Sequence, residues 1–211
     1  MFHVLNRGVA RLQIFDRDED YAAFERVVEE TLRVAPIRIC AFCWMPNHWH
    51  FVLWPQRDGD LSEFMQRMAN MHTQRWQRAK RRVGYGHLYQ GRFKSFPVET
   101  DDHFYTVVRY VERNPLRAGL VACAEDWAWS SLYRRVAGKR EPLLAGWPLP
   151  EPVDWHTQVN QPQTEAELEA IRRCVRRGCP CGSASWADQA AEQLGLQSTL
   201  RPRGRPLGKS Q

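Results

Sequence analysis

Residues 37–54 read IRICAFCWMPNHWHFVLW. The segments 37–45 and 48–54 are strongly apolar, which is typical of buried strands, and Pro46-Asn47 between them is a turn signal. The sequence therefore predicts a β-hairpin here, and its central position in the pattern of elements makes it the core of the fold.

Other elements flank this hairpin on both sides. Alternating or apolar runs predict strands, and apolar residues at helical spacing predict helices. The strands are at 2–9 and 93–98, and the helices are at 16–33, 61–83 and 101–113. The order β-α-β-β-α-β-α favours an α+β fold: a ferredoxin-like antiparallel four-stranded sheet with helices on one face.

The chain length suits one domain of ordinary size followed by an extension. We expect one domain at 1–137, because the periodic elements above all lie there. A proline-rich irregular connector is expected at 138–163. A helical and basic C-terminal extension is expected at 164–211, ending in an AT-hook-like tail.

Positive charge is concentrated in two blocks. The 211 residues contain 30 Lys and Arg, of which 26 are Arg, against 24 Asp and Glu. Residues 64–98 carry eight basic and no acidic side chains, and residues 172–211 carry eight basic and two acidic ones. Arg binds phosphate oxygens bidentately, so the blocks indicate a phosphate-rich partner. The alternative is a set of solvated basic faces in an Arg-rich protein.

Several protein classes are excluded by the sequence. No apolar run reaches the roughly 18 residues of a membrane span, and the N-terminus lacks the pattern of a signal peptide. We therefore expect a cytoplasmic protein whose six cysteines stay reduced. Cys40 and Cys43 form a C-x-x-C pair inside a strand without a second pair at zinc-ribbon spacing, so structural zinc is not expected.

His48 and His50 are two residues apart on a predicted strand, so both side chains project from the same face, and Trp49 packs on the other. Two neutral imidazoles on one face can chelate one divalent cation. The alternative is a pair of partly exposed histidines without a ligand, because His-x-His pairs occur on many strands.

The helix at 101–113 has a second candidate group. Tyr110 and Asn114 lie about 40° apart around the helix axis, next to the buried stripe, so both can address one small site. A tyrosine hydroxyl aimed at a metal-polarised phosphodiester can attack it. The alternative is a packed tyrosine ring with its hydroxyl in water.

Together these motifs resemble the HUH endonuclease superfamily in its single-tyrosine transposase branch, and more closely the REP-associated tyrosine transposases. The resemblance covers about residues 2–136. The matching stretches are VLNRG (4–8), MPNHWH (45–50), QGRFKS (90–95), YVERNPLRAGL (110–120) and WAWSSLY (127–133).

The resemblance implies that 1–137 is the catalytic domain of a metal-dependent strand transferase, which acts on single-stranded DNA hairpins of repetitive extragenic palindromes. His48 and His50 would be ligands of Mg²⁺ or Mn²⁺, and Asn114 would stand where related enzymes have a polar third ligand, often Gln. Tyr110 would attack a phosphodiester and leave a 5′-phosphotyrosine link and a free 3′-hydroxyl.

The resemblance also implies a DNA-binding role for polar and basic residues. Those expected to hold phosphates of the hairpin or its flanking strand are Arg75, Arg78, Arg81, Arg82, Arg92 and Lys94. Those expected to line the cleft are Asn6, Arg7 and Arg117.

In the tail, Arg203 and Arg205 match the core of an AT-hook, in which an extended Arg-Gly-Arg lies in a narrow minor groove. A solubilising basic tail is the alternative. Because the net positive charge of the chain resides in 172–211, we expect this segment to be a separate DNA tether that contributes to binding more than to chemistry.

Two other functions stay open from the sequence. One is a domesticated protein that binds such hairpins without cleaving them, and the other is an RNA-hairpin binder on a ferredoxin-like sheet, although no RNP-like aromatic motif supports it. We expect hairpin DNA as the partner, a location in the cytoplasm at the nucleoid and no contact with a membrane. Monomer and homodimer are both open.

Overall fold

The computed structural model describes residues 1–201. The predicted AT-hook residues Arg203 and Arg205 lie outside the described residues. Within residues 1–201, no helix combines the length and the apolar character that crossing a membrane requires.

Four strands form one antiparallel sheet in the order β2-β3-β1-β4. The strands are β1 Phe2–Arg7, β2 Arg38–Met45, β3 His48–Trp54 and β4 Lys94–Pro97. β2 and β3 form the predicted hairpin, and β1 lies between β3 and β4, with Leu5 opposite both His50 and Lys94. The predicted α+β fold with a four-stranded antiparallel sheet is confirmed.

Nine α-helices occur in the part of the chain that the structure describes. They are α1 Asp18–Val34, α2 Asp60–Ala79, α3 Asp102–Glu112, α4 Asn114–Arg117, α5 Ser131–Val136, α6 Trp155–Asn160, α7 Glu165–Arg177, α8 Ala184–Gln193 and α9 Gln197–Leu200. The acidic first turn of α1 suits the positive end of the helix dipole. Segment 138–163, expected to be irregular, contains the short helix α6.

The helices cover both faces of the sheet, so the prediction of helices on one face is wrong. α1 and α2 pack on the face that carries Trp49 and Phe51, whereas α3 packs on the face that carries Cys43 and Val52. The physical reason is that β2 is apolar on both faces, and each apolar face must be covered by another layer.

A buried carboxylate fixes α3 on its face of the sheet. Glu112 is fully buried; its Oε1 accepts a hydrogen bond from Ser131 Oγ (2.5 Å) and its Oε2 accepts one from Trp155 Nε1 (2.6 Å). Arg135 Nε donates to Oε1 at 3.4 Å, and Arg135 Nη2 donates to the carbonyl oxygen of Cys40 in β2. α3, α5, α6 and β2 therefore meet at one side chain.

The C-terminal segment is part of the same folded body. The backbone N–H of Cys181 donates to the carbonyl oxygen of Pro97 in β4 (2.8 Å), and that of Glu99 donates to the carbonyl oxygen of Cys181 (2.9 Å). Leu168, Ile171 and Cys174 of α7 are buried. The expectation that 172–211 forms a tether separate from the catalytic domain is therefore wrong for residues 172–201.

Glu112→Ala should lower the free energy of unfolding by about 3–5 kcal/mol, because the buried Ser131 and Trp155 lose their acceptor and Arg135 keeps only its pair with Glu151. Chemical denaturation followed by circular dichroism measures the loss. Glu63→Ala is the matched control, since its pair with Arg67 on α2 is half-exposed and such pairs contribute little. Equal, small losses for both variants would contradict a structural role for the Glu112 cluster.

Candidate active site

The two histidines of β3 are oriented by hydrogen bonds on one ring nitrogen each. His48 Nδ1 donates to Asn47 Oδ1 (2.6 Å), and His50 Nδ1 lies 3.0 Å from Nε2 of His3 in β1. Their rings are 5.0 Å apart between centroids and nearly perpendicular. These partners leave Nε2 of His48 and of His50 as the atoms available to a cation, which is the way ligand histidines are normally held.

Burial keeps these imidazoles neutral. It lowers the pKa of His48 to about 4, with the charges of Arg7 and Arg117 acting in the same direction. It also lowers the pKa of His3 to about 3 and holds the pKa of His50 well below its ordinary value. The neutral imidazole is the form that binds a metal ion. The donor set therefore fits a divalent cation.

Tyr110 projects from α3 toward the histidines. Its ring lies edge-on to His50 at 6.1 Å and to His3 at 6.2 Å between centroids. The buried stripe of α3 (Phe104, Val107, Val108 and Val111) packs on the sheet and leaves Tyr110 half-buried on its flank. The guanidinium of Arg117 lies over the Tyr110 ring at 4.2 Å from its centroid.

Asn114 reaches the same place one turn later. Its side chain is buried, and its Oδ1 accepts a hydrogen bond from Arg117 Nη2 (2.9 Å). Among residues 1–201, its Nδ2 has no hydrogen-bond partner. A buried amide with capacity left over is typical of a site completed by a ligand or an ordered water. A cation bound to Oδ1 would have to share that oxygen with Arg117.

The predicted cleft residues Asn6 and Arg7, at the end of β1, and Arg92 and Lys94 line one cavity of about 360 Å³ beside this site. The full lining is Leu5, Asn6, Arg7, Gln90, Gly91, Arg92, Lys94 and Val175. Asn6 Nδ2 donates to the carbonyl oxygen of Gly91 (3.1 Å), which holds the 90–92 turn against β1.

A larger groove of about 910 Å³ continues from this cavity to the α2 side of the sheet, and the two share Asn6, Gln90, Gly91 and Arg92. The other lining residues are Ser62, Met65, Gln66, Ala69, Asn70, His87, Tyr89 and Phe93. Its surface combines amide groups with apolar and aromatic carbon.

The structure does not bring the predicted residues Arg75, Arg78, Arg81 and Arg82 to the histidine pair. They lie on α2 or directly after it, and α2 packs on the face opposite to α3. Arg75 donates to both carboxylate oxygens of Glu30 (2.8 and 2.7 Å), so its charge is already paired.

Two features were missed by reasoning from the sequence. One is His3, whose position beside His50 depends on the register of β1 on β3, which no local pattern shows. The other is the group Glu99, Asp101 and His103 before and within the first turn of α3, whose ligand atoms lie within 4.8 Å of one another. Asp101 caps this helix and also bonds the His103 ring, so helix capping accounts for the group.

The sequence is similar to a family of known proteins. The family model described as "Transposase IS200 like" matches residues 1–114. A REP-associated tyrosine transposase of Escherichia coli (strain K12) is 26% identical over 129 residues, which cover 58% of this chain and 71% of that protein.

A solved structure of a REP-associated tyrosine transposase bound to a REP hairpin superposes with a TM-score of 0.54 at 21% identity. The match covers 78% of this chain and 92% of that one. At this identity the likeness supports the fold alone. The family match and the Escherichia coli relative confirm the resemblance carried by the five motifs.

The imidazoles of His3 and His48 should stay neutral from pH 8 down to pH 5, and should bind a proton only as the pH falls through about 3 and about 4. NMR titration of their ring resonances, assigned with His3→Gln and His48→Gln, measures this. In the unfolded chain they are protonated below about pH 6.5, so the free energy of unfolding should fall as the pH drops from there toward 4. A midpoint near 6.5 for either ring would contradict its burial in solution.

Proposed function

The chain belongs to the IS200-like transposase family, and on that basis we propose that it is a metal-dependent, single-tyrosine DNA strand transferase. Its substrate would be single-stranded DNA at REP-type palindromic hairpins, which it would nick and rejoin. The observation that carries the proposal is the position of Tyr110 edge-on to His50, whose Nε2, like that of His48, is available to a cation. Location at the nucleoid follows from this proposal.

His48 and His50 would hold Mg²⁺ or Mn²⁺, with Asn114 Oδ1 as a third ligand shared with Arg117. When bound, the cation would polarise the non-bridging oxygens of the scissile phosphate. His3 and Asn47 orient the two imidazoles for this task, and burial keeps the rings unprotonated at neutral pH.

Tyr110 would be the nucleophile. Its hydroxyl oxygen would form a bond to phosphorus and release its proton to water, while the bond from phosphorus to the 3′-oxygen breaks and that oxygen takes up a proton. Arg117 lies over the Tyr110 ring and would stabilise negative charge that develops on the phenol oxygen or the phosphate. Because the phosphotyrosine link conserves the ester, a second 3′-hydroxyl can reverse the step and join strands without a nucleotide cofactor.

The DNA would follow the cavity and the groove beside the site. Arg7, Arg92 and Lys94 would bind phosphates of the strand, and the groove would accept unpaired nucleotides. Gln66 and Asn70 of α2 offer amides that can bond base edges, and Phe93 offers a stacking surface. Arg78, Arg81, Arg82 and the tail residues Arg203 and Arg205 remain candidates for contacts with DNA beyond this path.

Tyr110→Phe should abolish the covalent protein–DNA adduct, because the attacking oxygen is removed. The measurement is denaturing electrophoresis after incubation with labelled single-stranded palindromic DNA and Mn²⁺. Tyr105→Phe is the matched control on the same helix, since it removes only the bond from Tyr105 to the carbonyl oxygen of Pro150. An adduct that persists in Tyr110→Phe would contradict the assignment. Tight hairpin binding without an adduct in the unaltered protein would favour the binding-only alternative.

His48→Ala should abolish adduct formation and weaken Mn²⁺ binding, while hairpin affinity changes little, because His48 would contact the cation rather than the stem. Isothermal titration with Mn²⁺ and a hairpin-binding assay separate the two effects. His156→Ala, an exposed histidine of α6, is the control and should leave both unchanged. Parallel loss of metal and hairpin binding, together with a lower melting temperature, would mean that His48 has only a structural role.

A further inference from the structure

Helix α7 contributes to the wall of the 360 Å³ cavity beside the histidine pair, although it lies beyond residues 1–114 matched by the family model. Val175 of α7 lines the cavity together with Arg7 and Lys94. Val175 and Tyr110 also pack against the same buried cluster on the α3 face of the sheet. The C-terminal extension therefore reaches the surface on which Tyr110 stands.

The position of α7 is fixed by contacts at both ends. At its start, Thr164 and Glu167 form a capping box, and Arg109 Nη2 of α3 donates to the carbonyl oxygen of Pro162 (2.8 Å). At its end, Gly178 adopts the left-handed conformation (φ 70°), and the chain then bonds to β4 through Cys181. A helix held in this way can present its side chains to the cavity without reorganisation.

Arg172 lies one turn before Val175 and about 60° from it around the helix axis, so both side chains leave the same face of α7. Burial lowers the pKa of Arg117, and the positive charge of Arg172 acts in the same direction. The Arg172 side chain is 42% exposed, and its contact with Glu165 is long (3.5 Å) and involves a carboxylate that is 85% exposed. Exposed pairs of this kind are weak. The guanidinium of Arg172 is thus available to an anion.

The charge around the cavity is of one sign. Arg7, Arg92 and Lys94 line it, and within the described residues none of its lining side chains is acidic. Arg117 of α4 and Arg172 of α7 carry further positive charge on the same face of the sheet, although neither lines the cavity itself. The three cations that line the cavity repel one another, and an anion bound among them relieves this repulsion.

We propose that α7 completes the DNA cleft of this protein, and that Arg172 binds a backbone phosphate of the strand presented to Tyr110 while Val175 packs against the adjoining nucleotide. This inference rests on the proposed function, because it takes DNA as the anion. It assigns the C-terminal extension a place in the cleft itself.

The test compares Arg172→Ala with Arg173→Ala in the full chain. Arg173 is the next residue, about 100° around the helix, and it is exposed on a side turned away from Val175. Both changes remove one positive charge from α7, so only the position of the charge differs. Affinity for a single-stranded oligonucleotide with a palindromic hairpin is measured over a salt series, in the Tyr110→Phe background so that no covalent product forms.

Arg172→Ala should weaken binding several-fold at low salt, and the loss should shrink as the salt concentration rises. It should also reduce the slope of log K against log salt by about 0.7, the value for one phosphate contact on a single strand. Arg173→Ala should leave the slope unchanged, and Arg172→Lys should restore most of it. Circular dichroism should show unchanged melting for all three variants, because neither side chain is part of the core.

Equal changes of slope in Arg172→Ala and Arg173→Ala would overturn the inference, since only the general field of α7 would then matter. No change in either variant would overturn it as well. Adduct formation by the protein with Tyr110 present is scored separately. If no adduct forms but the slope loss is specific to Arg172, the cleft inference stands and the strand-transfer proposal falls; if an adduct forms and Arg172 has no effect, the reverse holds.

Discussion

The carboxylate of Glu112 is the constraint on which the arrangement of the site depends. An apolar stripe alone lets a helix slide or rotate by a fraction of a turn on an apolar sheet, because the hydrophobic effect is not directional. Glu112 removes that freedom, since its two oxygens accept bonds from Ser131 and Trp155 and face Arg135, which in turn bonds β2. Burial raises the pKa of this carboxyl, and the neighbouring Arg135 opposes the rise. Tyr110 lies two residues before Glu112 on α3, so the contacts that fix Glu112 also fix the position of Tyr110 relative to His50.

The sheet meets a second requirement, which is to hold two imidazoles neutral and correctly turned. A strand places His48 and His50 on one face by its period of two, but it does not choose the ring nitrogen that each presents. Asn47 bonds Nδ1 of His48, and His3 on the neighbouring strand lies against Nδ1 of His50, so each histidine presents its Nε2. Trp49 between them is anchored on the opposite face by its bond to the Tyr89 hydroxyl (2.9 Å). The face that carries the two histidines thus depends on packing on the opposite face of the sheet.

Local periodicity was sufficient for the features that lie within one element. The hairpin at 37–54, the shared face of His48 and His50 and the pairing of Tyr110 with Asn114 follow from periods of 2 and 3.6. Features that depend on how elements meet were not predictable in this way. The second helical layer is an exception, because the continuous apolar run at 39–45 already indicates a strand covered on both faces, and the prediction of helices on one face did not use that signal. His3 was missed because the register between β1 and β3 is not written in either strand.

The charge of a stretch of sequence likewise differs from the charge of the surface that its residues help to form. The basic block 64–98 was read as one DNA-binding wall, yet the structure divides it: Arg75 is paired with Glu30 on the α2 side, whereas Arg92 and Lys94 line the cavity near β1. Arg7 of β1 lines the same cavity, and Arg117 of α4 and Arg172 of α7 carry further positive charge on that face of the sheet. A cavity surrounded by positive charge can therefore be assembled from parts of the chain whose net charges differ in sign. A net positive charge in a segment predicts that the protein binds an anion. The place of binding is predicted by a cavity that is lined by cations and has no carboxylate among its lining residues.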